Sequence, residues 1–264
     1  MNIFLREVKA NVKSLLIWSV ILGALIGVGT AKFSAFAGNP DMLAILDSMP
    51  SAVLDAMNLR AFNLTTLSGF YGIMFLYFGL MGAMAAALWG SDIISKEERD
   101  KTVEFSLVLP VSRSRVITAK ALAALVNCVA FVLITWLISL ATALSYQPDQ
   151  AFYSFLALEM QAMFIIELIF LAIGLLLGCV MKQYKRSGSL AISVILVAYF
   201  ISIISGLHPS YENLKYLSPF KYFDAGVFFR TGQLDVTYLL ISLAIILASL
   251  GIGYWAYNKR DLYI

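Results

Sequence analysis

The chain has 264 residues, of which 61% are hydrophobic and only 13% are charged, and its mean hydropathy is +0.84. Soluble domains carry about 25% charged residues, so this composition excludes an ordinary soluble protein. The formal net charge of +3 is too small to indicate a nucleic-acid-binding surface. Charged residues cluster between long uncharged stretches, which predicts a chain that crosses a membrane several times.

Six stretches are each long enough to cross the hydrocarbon layer as a helix, which needs about 20 residues. Glu167 interrupts the fourth stretch and is the only formal charge that we place well inside a span. A β-barrel would show alternating segments of about 10 residues, and the unbroken apolar run 168–180 argues against it. We therefore predict an all-α membrane protein with spans at 14–33, 68–91, 117–145, 158–181, 187–207 and 236–258.

The distribution of positive residues predicts that both termini are cytoplasmic. Of the 19 Lys and Arg residues, 14 fall in the segments that share a side with the termini, which are 1–13, 92–120, 182–186 and 259–264. Orientation follows the Lys and Arg content of the loops, and cytoplasmic loops hold the excess.

Residues 1–13 have an amphipathic pattern, with Phe4, Val8 and Val12 at helical spacing and basic residues on other faces. The pattern predicts an amphipathic elbow helix that lies at the interface and leads into the first span. A frayed basic terminus is the alternative interpretation.

The same region also resembles a secretory signal peptide, because the small residues Ala35 and Ala37 follow a basic start and an apolar run. The apolar run 14–31 is longer than the usual apolar core of such a peptide, and Gly23 and Gly27 stand at helix-packing spacing. We therefore expect this segment to be a retained membrane span.

The connection 34–67 is expected on the outer side of the membrane. Apolar residues recur through it on both sides of Pro50, which predicts two short amphipathic helices at the outer interface.

The cytoplasmic segment 92–116 carries the most information about function. A charged run, 96–101, is expected to extend the second helix into the cytoplasm, and Ser112 is placed to cap the third helix. Between them lies an apolar strip, 103–109, that ends at Pro110. An apolar strip outside the membrane needs a covering surface, which is either its own helix bundle or a soluble partner.

The sequence from Glu97 to Arg113, followed by Lys120, resembles the signature EExxGTxExLLxxPVSRxxxxxxK of ABC-2-type exporter permeases. The segment 216–223 and the C-terminal Lys259-Arg-Asp-Leu are also common in these permeases, so the resemblance covers the whole chain. Lys101 departs from the signature, which has Gly there, and this puts the tightness of the local turn in doubt because Gly tolerates positive φ more readily.

The resemblance implies a permease subunit that pairs with a second copy or a close relative in a prokaryotic plasma membrane. It implies two separate ATP-binding subunits, so ATP would be bound by the partner and no cofactor by this chain. The segment 97–113 would then be the coupling element that docks on the ATPase. Its expected docking residues are Glu97, Glu98, Thr102, Glu104, Phe105, Leu107, Pro110 and Arg113.

Polar residues inside the predicted spans give a second candidate site. A carboxyl group at depth costs about 2.5 kcal/mol or more, so Glu167 should face a cavity or a partner, or be protonated. Asn127 lies at a similar depth, and the two are predicted to meet in the bundle interior. They form either a structural hydrogen bond or part of the transport path. Small residues at helix-packing spacing are expected within the subunit first and at a dimer face second; these are Gly23, Gly27, Gly79, Ala83, Ala87, Gly174 and Gly178.

The stretch 208–235 contains seven aromatic residues between His208 and Gly232 and predicts an aromatic belt at the outer interface. In similar permeases this connection dips back into the outer leaflet as short helices.

No catalytic or metal-binding pattern is present in the sequence. Cys128 and Cys179 fall inside predicted spans and are expected to be packing residues, and His208 is the only histidine. No phosphate-binding loop of the GxxxxGK[ST] type occurs. We therefore expect no catalysis by this chain.

Two functions are compatible with six spans. The first is an ATP-driven exporter permease, and the alternative is an ATP-independent carrier or channel. No repeat between residues 1–132 and 133–264 is evident, which fits a carrier poorly, whereas the cytoplasmic strip favours the permease. Spans with few charges would suit an amphipathic or lipid-like cargo, and the resemblance adds peptides, which we favour, and drugs.

Overall fold

The computed structural model describes residues 2–39, 48, 50, 54, 61–100, 111–181 and 183–259, apart from the side chains of 184 and 185. The described residues form helices and turns without strands, and six helices are long and apolar enough to cross a membrane. This confirms the predicted all-α class with six spans. The six are α1 (Ile3–Phe33), α2 (Leu67–Arg99), α3 (Arg113–Ala143), α4 (Gln150–Val180), α5 (Tyr184–Leu207) and α8 (Val236–Lys259).

Shorter helical pieces connect the spans. A 3-10 turn at Leu144–Tyr146 follows α3, and Gln147 takes a left-handed conformation with φ 50° that turns the chain towards α4. Between α5 and α8 lie a 3-10 stretch, Pro209–Leu217, and the short helices α6 (Pro219–Tyr222) and α7 (Ala225–Thr231). We call the end of the bundle where α1 begins and α8 ends the basal end, and the opposite end the distal end.

Helix starts follow the sequence closely. The Ser112 side chain accepts a hydrogen bond from the backbone N–H of Arg115, as predicted for the start of the third span. Thr66 caps α2 and Asp149 caps α4 in the same way. Since a cap satisfies a backbone N–H that the helix leaves unpaired, these short polar side chains fix where each helix begins.

Two helix boundaries differ from the sequence-based prediction, and a third agrees with it. Residues 3–13 of the predicted elbow helix are the first turns of α1, which continues into the span without interruption. Helix α2 runs on to Arg99, as expected from its charged end. Helix α4 begins at Gln150 rather than at 158, because Asp149 caps it and the residues up to Glu159 are mostly apolar.

Helices α2 and α4 form the closest packed pair, and glycines allow their contact. A Cβ atom on Gly174 would lie 2.2 Å from the Ala87 carbonyl oxygen, and one on Gly90 would lie 2.5 Å from that of Leu171. Ala83 and Ala87 are fully buried. The small residues predicted on these helices therefore pack within the subunit. Gly23 of α1 faces Ile138 of α3, whereas Gly27 has no neighbour within 4 Å.

The remaining helices arrange themselves around this pair. Helix α1 packs mainly against α3, α5 packs against α2, and α8 packs against α4. Large apolar side chains on the outer faces of α1, α3 and α8 are exposed, as expected for lipid contact. The bundle thus has an α1–α3 pair on one side and a group of α2, α4, α5 and α8 on the other.

The aromatic stretch after α5 is built into the bundle more deeply than a surface belt would be. Phe220 stacks on Phe170 of α4 with ring centroids 5.3 Å apart, and Phe228 contacts Phe75 and Phe155 edge-on or tilted. Phe220, Tyr222, Phe223 and Phe228 are buried, so for these four the predicted belt is wrong. Tyr211 and Tyr216 are exposed, as a belt requires.

Candidate functional site

The basal end of α2 leads directly into the segment that was predicted to dock a partner. Helix α2 ends at Arg99 and α3 begins at Arg113. Of the predicted docking residues, Thr102, Glu104, Phe105, Leu107 and Pro110 lie outside the described residues. Glu97, Glu98 and Arg113 stand on the two helices that border this segment.

Glu97 points into the bundle. Only 7% of the residue is exposed, and one carboxylate oxygen lies 3.1 Å from Arg6 Nη2 of α1 and 3.1 Å from Lys120 Nζ of α3. Its carboxylate thus contacts two other helices of the same chain. This placement does not support a direct contact of Glu97 with a partner. Glu97 instead connects the end of α2 to α1 and α3.

Lys120 is fully buried, which is rare for a lysine and requires compensation of its charge. Besides its contact with Glu97, its ammonium group donates a hydrogen bond of 2.8 Å to the Ile93 carbonyl oxygen of α2. These two contacts tie the first turns of α3 to the last turns of α2.

Glu7 on α1 completes the arrangement. It is fully buried, contacts Lys96 of α2, and accepts a hydrogen bond of 3.1 Å from Arg6. Arg6 therefore bridges the carboxylates of Glu7 and Glu97. We call Arg6, Glu7, Lys96, Glu97 and Lys120 the basal charge cluster; it joins α1, α2 and α3, and every one of these charges has an opposite charge beside it.

Arg113 connects the start of α3 to the end of α8. Its guanidinium donates to the carbonyl oxygens of Tyr257 at 3.3 Å and Asn258 at 3.5 Å, and a cation suits the carbonyl end of a helix. The Asn258 side-chain amide also donates a hydrogen bond of 3.0 Å to the Ser114 hydroxyl. Glu98 is half-buried at the same end of the bundle. Both borders of the 101–110 segment are thus held by contacts to other helices.

Glu167 and Asn127, the predicted transport-path residues, are both buried in the interior. Glu167 lies beside the Cys128 thiol of α3, and a Cβ on Gly82 of α2 would approach its Oε1 to 3.0 Å. The structure gives no hydrogen bond between Glu167 and Asn127; within the described chain, neither carboxyl oxygen of Glu167 nor the Asn127 amide nitrogen has a hydrogen-bond partner of ordinary geometry.

Glu167 is not the only carboxyl group in the bundle interior, although the sequence analysis singled out no other. Because α4 begins at Gln150, Glu159 lies about 14 Å inside the helix instead of at its edge. It is fully buried, and its carboxyl oxygens also have no hydrogen-bond partner in the described part of the chain.

An apolar cavity of about 290 Å³ lies in the distal half, between α2, α4, α5 and the short helices. Ile166 lines it, whereas its neighbour Glu167 points elsewhere. Lys221 and Asp224, which form an ion pair of 2.6 Å, supply its charged groups. Its further lining comes chiefly from Phe62, Gly72, Phe75, Gly79, Tyr199, Ser202, Phe220 and Phe223.

A second cavity of about 290 Å³, at the distal surface, is more polar. Glu212 and Lys215 on its wall lie 2.6 Å apart, and the hydrogen bond from Lys215 lowers the pKa of the Glu212 carboxyl below its ordinary value. In the described residues, no three His, Cys, Asp or Glu side chains gather closely enough to hold a metal ion.

Sequence reasoning did not find the basal charge cluster. The signal was present in part, because Lys120 closes the signature that begins at Glu97, but the signature does not state that the two meet. Glu7 and Lys96 belong to segments that were interpreted as an amphipathic surface and a charged extension.

Comparison with known proteins agrees with this architecture. The family model described as "ABC-2 family transporter protein" matches residues 1–262, which is almost the whole chain. No curated protein matches the sequence.

Proposed function

This chain belongs to the ABC-2 family of transporters, and we propose that it is the permease subunit of an ATP-driven exporter. It is a multi-pass membrane protein with six spans. Of the 19 Lys and Arg residues, 14 fall in the sequence segments predicted to share a side with the termini, which supports a cytoplasmic position for both termini. A prokaryotic plasma membrane is the location that we infer.

Membrane proteins of this family generally work with separate ABC ATP-binding subunits. The single observation that carries the docking proposal is the position of residues 101–110 between two anchored helix ends, those of α2 and α3, at the basal end. Movement of this segment would act on both helices at once. The apolar residues Phe105 and Leu107 would supply the contact with the ATPase, with Thr102, Glu104 and Pro110 beside them and Glu98 and Arg113 at the borders.

In this proposal the complex holds two ATP-binding subunits and two permease subunits, the second a copy or a close relative of this chain. ATP is bound and hydrolysed by the partner, so this chain needs no cofactor. Phosphate loops are the usual route to ATP hydrolysis in such transporters, and the sequence contains none.

The apolar cavity between α2, α4, α5 and the short helices suits an amphipathic cargo. Its lining is mostly apolar and aromatic, and the Lys221–Asp224 pair offers one charged position. Pockets of this kind bind a molecule with an apolar body and few polar groups. A peptide with an apolar face fits this description and is the cargo that we favour over a drug or a lipid-like molecule. Glu167 is enclosed by packing, so we assign it a role in the bundle interior and not a contact with the cargo.

The proposal is tested by purifying the chain with and without candidate ABC ATP-binding subunits from the same organism. We expect stable co-purification and Mg-ATP hydrolysis by the complex, and no phosphate release above background by this chain alone. A carrier that needs no ATPase predicts no stable complex. Hydrolysis by the isolated chain, after contaminating ATPases are removed, would contradict the assignment of catalysis to the partner.

A further inference from the structure

The two sides of the bundle are joined by polar contacts at both ends. Helix α1 packs mainly on α3 and α2 packs mainly on α4, and apolar contacts such as that of Trp89 on α2 with Phe131 on α3 also join the α1–α3 pair to the α2–α4 group. At the distal end, the Tyr71 hydroxyl of α2 contacts Thr30 of α1 at 3.2 Å and Thr142 of α3 at 3.1 Å. At the basal end the basal charge cluster forms the connection.

The two connections differ in their chemistry. Tyr71 offers one hydroxyl to fixed neighbours, whereas the basal charge cluster shares two carboxylates among three cations. Arg6 already contacts both Glu7 and Glu97, and Glu97 contacts both Arg6 and Lys120. During a small shift between helices, Arg6 can therefore move between the two carboxylates while Lys96 stays paired with Glu7 and Lys120 stays paired with Glu97. Contacts that can adopt two discrete arrangements are the kind of element that transmits movement.

The position of the cluster relates it to the proposed docking segment. Lys96 and Glu97 lie in the last turn of α2, directly before residues 101–110, and Lys120 lies two turns into α3, directly after them. A displacement of that segment would thus be felt first at these side chains.

We propose that the basal charge cluster is a latch between the α1–α3 pair and the α2–α4 group, and that Glu97 and Lys120 are positioning residues for energy coupling. The latch converts a displacement of the adjoining ends of α2 and α3 into a displacement of one side of the bundle against the other. This inference rests on the proposed function, because the movement comes from the ATP-binding subunit.

The test uses the complete complex in lipid nanodiscs, with spin labels on Leu122→Cys of α3 and Val180→Cys of α4. Both positions are about half exposed. The buried Cys128 and Cys179 are first replaced by alanine. Mg-ATP with vanadate is the probe. The label distance should change on vanadate trapping in the unmodified cluster, and Glu97→Gln should lose that change, because a neutral amide ends the pairing with Arg6 and Lys120.

Two variants serve as controls. Lys120→Arg keeps the cation and should keep the distance change. Asp92→Asn removes an exposed ion pair with Arg99 on the same helix, links no two helices, and should behave like the parent. If Glu97→Gln does not assemble, Arg6→Gln and Lys96→Met, whose side chains are partly exposed, should each reduce the change.

The latch would be overturned if Glu97→Gln showed the same vanadate-induced change in label distance as the parent, even if its melting temperature fell. The same result in both Arg6→Gln and Lys96→Met would also overturn it. Such a result would give the cluster a purely structural role. A parent complex that traps no nucleotide would refute the proposed function, and the latch with it, so the two failures are distinguishable.

Discussion

The carboxylate of Glu97 and the ammonium of Lys120 lie 3.1 Å apart, although the whole segment between α2 and α3 separates them along the chain. The pair links the first acidic residue of the permease signature to its last lysine. A buried pair of this kind is weak support for stability, but loss of one partner leaves an uncompensated charge that costs about 3–5 kcal/mol. At least these two signature residues therefore make contacts between helices within the chain.

The distal connection gives the first prediction. Tyr71→Phe removes a buried hydroxyl that donates to the Ser139 carbonyl oxygen at 3.2 Å and contacts Thr30 and Thr142. We expect the free energy of unfolding to fall by about 1 kcal/mol, the usual size of a hydrogen bond between membrane helices. Thermal unfolding in detergent measures the effect. Tyr77→Phe, at a residue that is 44% exposed, is the matched control and should be neutral; equal melting temperatures for the two variants would contradict the prediction.

The fold could be predicted well because its signals are local. Uncharged stretches and capping residues such as Ser112 locate helices without knowledge of their neighbours. The boundary of α4 was missed because Glu159 was interpreted as an edge residue, although Asp149 carries the actual cap. The burial of four aromatic residues after α5 was missed because the same aromatic residue types occur at membrane interfaces and in protein cores, so residue type alone does not separate the two locations.

The candidate site could be predicted only in outline. The position of the docking segment follows from charge and from Pro110, but the contacts of Glu97 depend on which helices meet. Pairing between residues of α1, α2 and α3 is a property of tertiary packing, and no periodicity in a single sequence encodes it.

The contact between α2 and α4 gives a second prediction. Gly174→Ala would place a Cβ 2.2 Å from the Ala87 carbonyl oxygen, so the two helices must separate. We expect a loss of about 1–3 kcal/mol or more, as for other overpacked cores. Gly251→Ala on α8 is the control, since a Cβ there meets nothing within 4 Å. It should be neutral or slightly stabilising, because alanine favours a helix over glycine by about 1 kcal/mol. A comparable loss in both variants would contradict the prediction, because the close approach to Ala87 exists only at Gly174.

Glu167→Gln tests the role of the buried carboxyl group. Glutamine keeps the volume beside Gly82 and Cys128 and carries no charge. We expect little change in thermal stability and in ATP hydrolysis per assembled complex, because an enclosed carboxyl group is best accommodated without charge. Glu159→Gln, at the other fully buried carboxyl group, serves for comparison. A strong loss of hydrolysis per complex in Glu167→Gln alone would instead support a place in the transport path.

The docking proposal predicts that Phe105→Asp together with Leu107→Asp weakens assembly while membrane insertion stays intact. A charge on an apolar contact is unfavourable, and a few central residues dominate most interfaces. Pull-down of the ATP-binding subunit measures the effect, which should be at least about tenfold in affinity for two central residues. Ala10→Asp, at an exposed residue near the basal end of α1, controls for a general effect of added charge. Unchanged recovery of the partner by the double variant would refute the docking surface.

Site-specific photocrosslinking shows directly whether residues 101–110 contact a separate ATP-binding subunit. A photoreactive amino acid is placed at Phe105 and, in a second variant, at Leu137, which is 66% exposed on the outer face of α3. The complex is then irradiated in membranes. We expect a crosslinked product that contains the ATP-binding subunit from position 105 and none from position 137. No product from position 105, in a complex that still hydrolyses Mg-ATP, would contradict it.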